Sequence, residues 1–193
     1  MIPVPDYIQA LIFDCDGTLA DSMPLHLNAW CELFKEHGFD CPLEFLDSRK
    51  GAPVAHIVRD YNEIFNTNID PEKFAEEKER RFRDKLSQVK PIRPVFDTAT
   101  FFHQKLPMAV VSGSPLSSVA QSLRAIGAEH LFPVIVTMDD GLPPKPSPDM
   151  FLAAAKQLGV ESRFCQVFED GDYGLQGAKE AGMLATDIRL YLR

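Results

Sequence analysis

Short apolar runs alternate along this chain with longer amphipathic stretches. The first run, Tyr7-Ile8-Gln9-Ala10-Leu11-Ile12-Phe13, is partly β-branched and stops at Asp14-Cys15-Asp16-Gly17. That reads as a buried strand entering a polar loop. Met108 to Val111, Val134 to Met138, Gln166 to Phe168 and Leu184 to Ile188 have the same character. Their apolarity is continuous rather than alternating, which suits strands covered on both faces of a parallel sheet. Helical spacing fills the intervals. Leu116, Val119, Ala120, Leu123 and Ile126 share one face and stop at Gly127. Phe151 to Leu158 follows Ser147-Pro148, with Ser as a cap and Pro in the first turn, and stops at Gly159. Leu175 to Ala181 stops at Gly182. Strand–helix alternation predicts right-handed crossovers and an α/β fold, a parallel sheet sandwiched by helices.

The stretch from Asp21 to Lys90 breaks this rhythm, with helical patterns and no convincing strand. Pro24 to His37, Val54 to Phe65 and the highly charged Pro71 to Val89 are the candidates. The last carries Glu76–Arg80, Glu77–Arg81 and Glu79–Arg83 at i,i+4, the spacing of a solvated helix face. Pro91 and Pro94 then mark a return linker. The expected division is an α/β core from 1–20 and 91–193, interrupted by a helical insert at 21–90.

Composition narrows the function. The 193 residues are 45% hydrophobic and 25% charged, an ordinary globular mixture. Twenty basic residues against 28 acidic ones give a net charge of −8, so nucleic acid is not an expected partner. Met1 to Ala10 lacks a signal-peptide pattern, and no run approaches the length of a membrane span. The four cysteines, Cys15, Cys31, Cys41 and Cys165, have neither CxxC nor zinc spacing. They read as reduced thiols of a cytoplasmic protein, with Cys15 turned into the core. No exposed apolar seam is evident, and a monomer is expected.

The acidic balance matters where carboxylates cluster. Asp14 and Asp16 lie just beyond a buried strand, where α/β sheets bind ligands. A turn at Gly17 lets both face one pocket. Such a pair can divide labour between nucleophile and proton donor. An Asx turn ending the strand is the structural alternative.

Asp14-Cys15-Asp16-Gly17-Thr18-Leu19 resembles the first motif of the haloacid dehalogenase superfamily of phosphohydrolases. Val110-Val111-Ser112-Gly113 is similar to its second motif, Lys145-Pro146-Ser147-Pro148-Asp149-Met150-Phe151 to its third, and Phe168-Glu169-Asp170-Gly171 to its fourth. The helical insert resembles the family's C1 cap. The resemblance implies a phosphomonoester hydrolase with Asp14 as nucleophile and Asp16 as acid and base. Ser112, Gly113 and Lys145 would hold the phosphoryl oxygens. Mg²⁺ would be held by Asp14, Glu169, Asp170 and the Asp16 carbonyl, with Asp172 as a nearby alternative ligand. A cation is needed because a phosphate dianion repels an attacking carboxylate.

Within the superfamily the chain resembles the β-phosphoglucomutase-like group, especially bacterial fructose-1-phosphate phosphatases. Asp21-Ser22-x-x-x-His26-x-x-Ala29-Trp30, Gly51 after a basic pair, and Phe168-Glu169-Asp170 carry that likeness. His26, Gly51 and Lys78 match cap positions that approach substrate in the group, and Trp30 reads as core. Asp21-Ser22 is expected to cap the first insert helix and form part of a hinge. Val54 stands where the mutases resembled here carry an Arg, and Ser114-Pro115 also departs from their pattern. The expectation is therefore a sugar-phosphate phosphatase, with a phosphomutase or a non-catalytic binding protein of this fold as alternatives.

Overall fold

The computed structural model describes residues 1–49 and 52–192. Gly51, expected near substrate, lies outside the described residues. The strands β1 (Ala10–Phe13), β2 (Met108–Val111), β3 (Val134–Val136), β4 (Cys165–Glu169) and β5 (Leu184–Asp187) form one sheet. Its order is β3-β2-β1-β4-β5, with every pairing parallel. The helices are α1 (Met23–Glu36), α2 (Leu43–Asp47), α3 (Val54–Phe65), α4 (Pro71–Arg83), α5 (Arg93–Phe102), α6 (Leu116–Ala125), α7 (Asp149–Leu158) and α8 (Asp172–Glu180). This is the parallel α/β architecture that the strand–helix alternation predicts.

The period of two in a strand explains the layers. Leu11 and Phe13 point into a cluster with Val95 and Ala99 of α5 and Val119 and Leu123 of α6. Ala10 and Ile12 point the other way, against Met150, Phe151 and Ala154 of α7 and Ala178 of α8. Phe13 stacks on Phe168 of the neighbouring strand, with ring centroids 4.7 Å apart. Full burial of a Leu, Ile or Phe side chain is worth about 1.5–3 kcal/mol. A one-residue slip of β1 would exchange its two faces and is strongly opposed.

A third cluster lies within the insert, where Trp30, Phe34, Ile57, Tyr61 and Phe74 pack together. Helix α4 serves two clusters. Phe74 near its start joins the insert, whereas Phe82 near its end joins the sheet-side core with Leu86 and Val89.

Several expectations need correction. Cys31 and Cys41 form a disulfide with Cα atoms 4.8 Å apart, so the reading of four reduced thiols fails. Chain reversal around Gly38 returns Cys41 to the side of α1, a proximity that spacing alone does not reveal. Cysteine usage therefore gives no ground for a compartment. Cys15 is buried and free, as expected, and so is Cys165. The supposed linker at Pro91 and Pro94 is in large part a helix, since Pro94 sits in the first turn of α5, where its missing N–H costs nothing. Ser147 makes no cap hydrogen bond to α7; its hydroxyl is bound instead to Asp149. Glu79 does not pair with Arg83 on a solvated face, because its side chain turns inward to Lys78. Glu77 instead takes both Arg80 and Arg81.

Candidate active site

The chain leaves β1 at its carboxyl end and folds back on itself at once. The amides of Leu19 and Ala20 both donate to the Cys15 carbonyl, at 3.0 and 2.9 Å. Gly17 makes the reversal possible with φ at +88°, in the left-handed region. A side chain at that position would also strike the Asp170 carboxylate, since a Cβ would lie 2.4 Å from Oδ2. The turn thus brings the β1 loop against the β4 loop and keeps both Asp14 and Asp16 at the sheet's edge. β1 stands between β2 and β4, where the strand order reverses direction, the position where open α/β sheets form crevices.

Side chains from four loops meet there. Asp14 follows β1, Ser112 follows β2, Lys145 precedes α7, Glu169 ends β4 and Asp170 follows it. Lys145, only 2% exposed, donates from Nζ to Asp14 Oδ1 at 2.7 Å, to Glu169 Oε2 at 2.7 Å and to the Val111 carbonyl at 3.1 Å. The other Glu169 oxygen accepts from the amides of Asp170 and Gly171, at 3.1 and 2.9 Å. Thr18 donates to Asp170 Oδ1 at 3.0 Å. Gly174 in the first turn of α8 leaves room for Glu169, because a Cβ there would lie 1.8 Å from Oε2.

Charge is unbalanced in this cluster. Asp14, Glu169 and Asp170 are all buried and offer oxygens within 4.8 Å of one another, against the single ammonium of Lys145. Burial, with Lys145 opposing it, pushes the Asp14 carboxyl above its ordinary range. Burial and the neighbouring Asp14 charge do the same to Glu169. Burial alone would depress Lys145, but its two carboxylate partners hold it protonated. Three hard oxygen donors carrying excess negative charge are a fitting set for a small divalent cation. Asp172, the alternative ligand, pairs with Arg189 at 2.8 Å and is not part of this cluster.

Asp16 is held differently. It accepts from Ser22 Oγ at 2.7 Å and Ser114 Oγ at 2.8 Å, and His26 Nε2 approaches Oδ1 at 3.2 Å. The approach lies off the ring N–H direction, so Nε2 has no hydrogen-bond partner among the described residues. Burial works to raise the Asp16 pKa, but His26 and the two hydroxyls hold this carboxyl well below the usual range. Ser22 spends its hydroxyl here and makes no cap bond to α1, contrary to the capping expectation. Neither serine was singled out as a site residue. Ser22 carried the signal of an ordinary helix cap, and Ser114 stood out only as a departure from the mutase pattern.

These groups open into a cavity of about 950 Å³ between the sheet edge and the insert helices. Ser112, Gly113, His26 and Lys78 line it together with the carboxylates, and so does Val54. Ser112 Oγ accepts the Ser114 amide at 3.1 Å. Lys78 is not a free surface cation: it is 2% exposed and bound to Glu79 Oε1 at 2.7 Å and His26 Nδ1 at 2.5 Å. Trp30 lies in the insert cluster and also borders the cavity.

The chain as a whole carries a clear likeness to known proteins. A fructose-1-phosphate phosphatase of Escherichia coli (strain K12) is 38% identical over 182 residues, covering 93% of this chain and 96% of that protein. A phosphorylated carbohydrates phosphatase of Thermotoga maritima is 27% identical, covering 91% of this chain and 82% of its own length. The crystal structure of a β-phosphoglucomutase from Clostridium difficile superposes with a TM-score of 0.82, covering 92% of this chain and 83% of that one, at 24% identity. The model of the haloacid dehalogenase-like hydrolases matches residues 11–187, nearly the whole length, and the chain belongs to that family.

Proposed function

We propose that this protein is a Mg²⁺-dependent phosphomonoester hydrolase acting on a small sugar phosphate of the fructose 1-phosphate kind, through an aspartyl-phosphate on Asp14. The observation that carries this reading is the buried Asp14–Lys145–Glu169 arrangement beside Asp170, at the mouth of a cavity that also holds Asp16 and Ser112. The likeness to curated carbohydrate-phosphate phosphatases supports the substrate class.

Each residue has a physical role in this scheme. Asp14 attacks phosphorus, and Lys145 fixes the attacking carboxylate by its 2.7 Å contact. Asp14, Glu169, Asp170 and the Asp16 carbonyl would hold Mg²⁺, which when bound offsets repulsion between carboxylate and phosphate. Ser112 keeps its hydroxyl proton for a phosphoryl oxygen, because Oγ already accepts from Ser114. Gly113, beside Ser112 in the cavity lining, would face the same oxygens. As the P–O bond to the sugar breaks, the leaving oxygen takes a proton from Asp16, and Asp16 then accepts one from the water that hydrolyses the aspartyl-phosphate. To act as the acid, Asp16 must exchange its Ser22 and Ser114 contacts for a proton and the substrate oxygen. The helical insert at 21–90 serves as a cap over the cavity, with His26 and Lys78 on its substrate side.

A hydrolase is favoured over a mutase because Val54 lines the cavity at the position where the mutases resembled above carry an arginine, while the arginines that do border it, Arg49 and Arg83, stand at other positions. The test is phosphate release from a sugar-phosphate panel, with Mg²⁺ and with EDTA. Metal-dependent release that is lost in Asp14→Asn supports the reading. Full activity of Asp14→Asn overturns it, and isomerised sugar phosphate without free phosphate would indicate the mutase. Complete inactivity across the panel would indicate a binding protein.

A further inference from the structure

One polar chain crosses from the sheet-side helices through the insert to Asp16, and the scheme above leaves its far end without a task. Ser118 on α6 is fully buried and donates from Oγ to Glu79 Oε2 at 2.9 Å. Glu79 on α4 is 6% exposed, and its other oxygen accepts from Lys78 Nζ at 2.7 Å. Lys78 reaches His26 Nδ1 at 2.5 Å, and the far side of that ring stands 3.2 Å from Asp16 Oδ1. His26 also stacks on Phe82, the α4 residue anchored in the sheet-side core, with centroids 3.7 Å apart.

A buried carboxylate is costly unless it is paired and hydrogen-bonded; Lys78 pairs with Glu79 from its own helix, but Ser118 satisfies the second oxygen only while α4 rests on α6. One oxygen depends on the core through Ser118, and the other orients the lysine of its own helix. If α4 lifted away, Glu79 would lose its core partner and Phe82 its packing together. The direction of Lys78, and through it of the His26 ring, is therefore tied to the docking of α4.

We propose that Glu79 is a positioning residue for Asp16, acting through Lys78 and His26, and that its hydrogen bond to Ser118 makes this positioning conditional on α4 being docked. The assignment rests on the hydrolase reading above. It names Glu79 and Ser118 as residues that set proton delivery without touching substrate.

The test exploits leaving groups. An alkyl sugar phosphate needs a proton on its departing oxygen, whereas a nitrophenyl phosphate departs as a stabilised phenolate and needs little help. Steady-state kinetics are measured on both esters with Mg²⁺ for the wild type, Glu79→Leu, Glu79→Gln and Ser118→Ala, with thermal unfolding alongside. Because a positioned proton donor contributes ~10²–10⁴-fold, Glu79→Leu is expected to lower kcat for the sugar phosphate by roughly 10-fold or more. Loss on the nitrophenyl ester should stay below about 3-fold, since only acid catalysis is affected. Ser118→Ala should show the same selectivity more weakly, and Glu79→Gln, which keeps an acceptor for Lys78, should recover part of it. Equal losses on the two esters, or no loss on either, overturn the assignment. If Glu79→Leu does not fold, Ser118→Ala and Glu79→Gln decide by the same ratio. A wild type that releases phosphate from neither ester refutes the hydrolase reading itself, whereas an active wild type with unselective variants refutes only the role of Glu79.

Discussion

Lys145 Nζ sits 2.7 Å from Asp14 Oδ1 although 131 residues separate them, and the same ammonium is 2.7 Å from Glu169 Oε2. Removing one partner of a buried ion pair costs about 3–5 kcal/mol because the other charge is left uncompensated. Lys145→Met is therefore expected to lose about that much stability, as well as phosphate release. Urea denaturation of wild type and variant at neutral pH measures it. A variant as stable as the wild type would mean that the cluster does not depend on this ammonium.

Added Mg²⁺ should stabilise the protein, because it relieves the crowding of Asp14, Glu169 and Asp170. Binding to the folded state alone raises stability by about 2.7 kcal/mol at one hundred times the dissociation constant. The melting temperature should rise with Mg²⁺ and fall back with EDTA. Asp170→Asn should flatten that response while leaving the metal-free melting temperature near that of the wild type. An unchanged Mg²⁺ response in Asp170→Asn would remove this carboxylate from the proposed ligand set.

Gly174→Ala separates helix propensity from site geometry. Alanine is favoured over glycine in a helix by about 1 kcal/mol, so propensity alone predicts a more stable protein. The added Cβ would lie 1.8 Å from Glu169 Oε2, and that carboxylate has nowhere to go without leaving Lys145 and the Asp170 and Gly171 amides. The variant should be less stable than the wild type and bind Mg²⁺ at least several-fold more weakly. Isothermal titration and thermal unfolding check both, and a stabilised variant with intact metal affinity would contradict the packing.

The Cys31–Cys41 bridge closes a short loop next to α2, whose residues border the cavity. Loop-closure entropy for a bridge of this span is worth about 2–3 kcal/mol. Cys31→Ser with Cys41→Ser, or treatment with a dithiol, should lower unfolding stability by about that amount. Intact mass before and after thiol alkylation reads the bridge directly. No change in stability on reduction would show that the loop is held by packing alone.

The sheet was the most legible part of the chain. Runs such as Ala10–Phe13 and Met108–Val111 are apolar without interruption because both faces of each strand are covered, and their shortness and β-branched content separate them from buried helix segments. Boundaries were softer: α5 hid behind Pro94, and α4 ended at Arg83 rather than running on to Val89. Of the candidate site residues, Asp14 stood out as one of a carboxylate pair after a strand, whereas Ser112, Lys145, Glu169 and Asp170 were singled out through motifs that resemble those of the family, since by local pattern alone they read as a turn serine, a surface lysine and a helix-start acid pair. Ser22 and Glu79 could not, since a serine before a helix and a glutamate among arginines have ordinary local explanations.

By itself the sequence determined the α/β class and the family that its motifs resemble, because those follow from period, spacing and order along the chain. Only the tertiary structure decided which charges meet: that Lys145 bridges Asp14 and Glu169, that Glu79 turns from Arg83 to Lys78 and Ser118, that Asp172 goes to Arg189, and that Cys31 finds Cys41. The physical reason is that a charged side chain on an isolated helix takes the nearest opposite charge, at a cost of little free energy either way. Once packing removes water, a buried carboxylate must find its partners wherever the fold has put them, and sequence distance no longer ranks the choices.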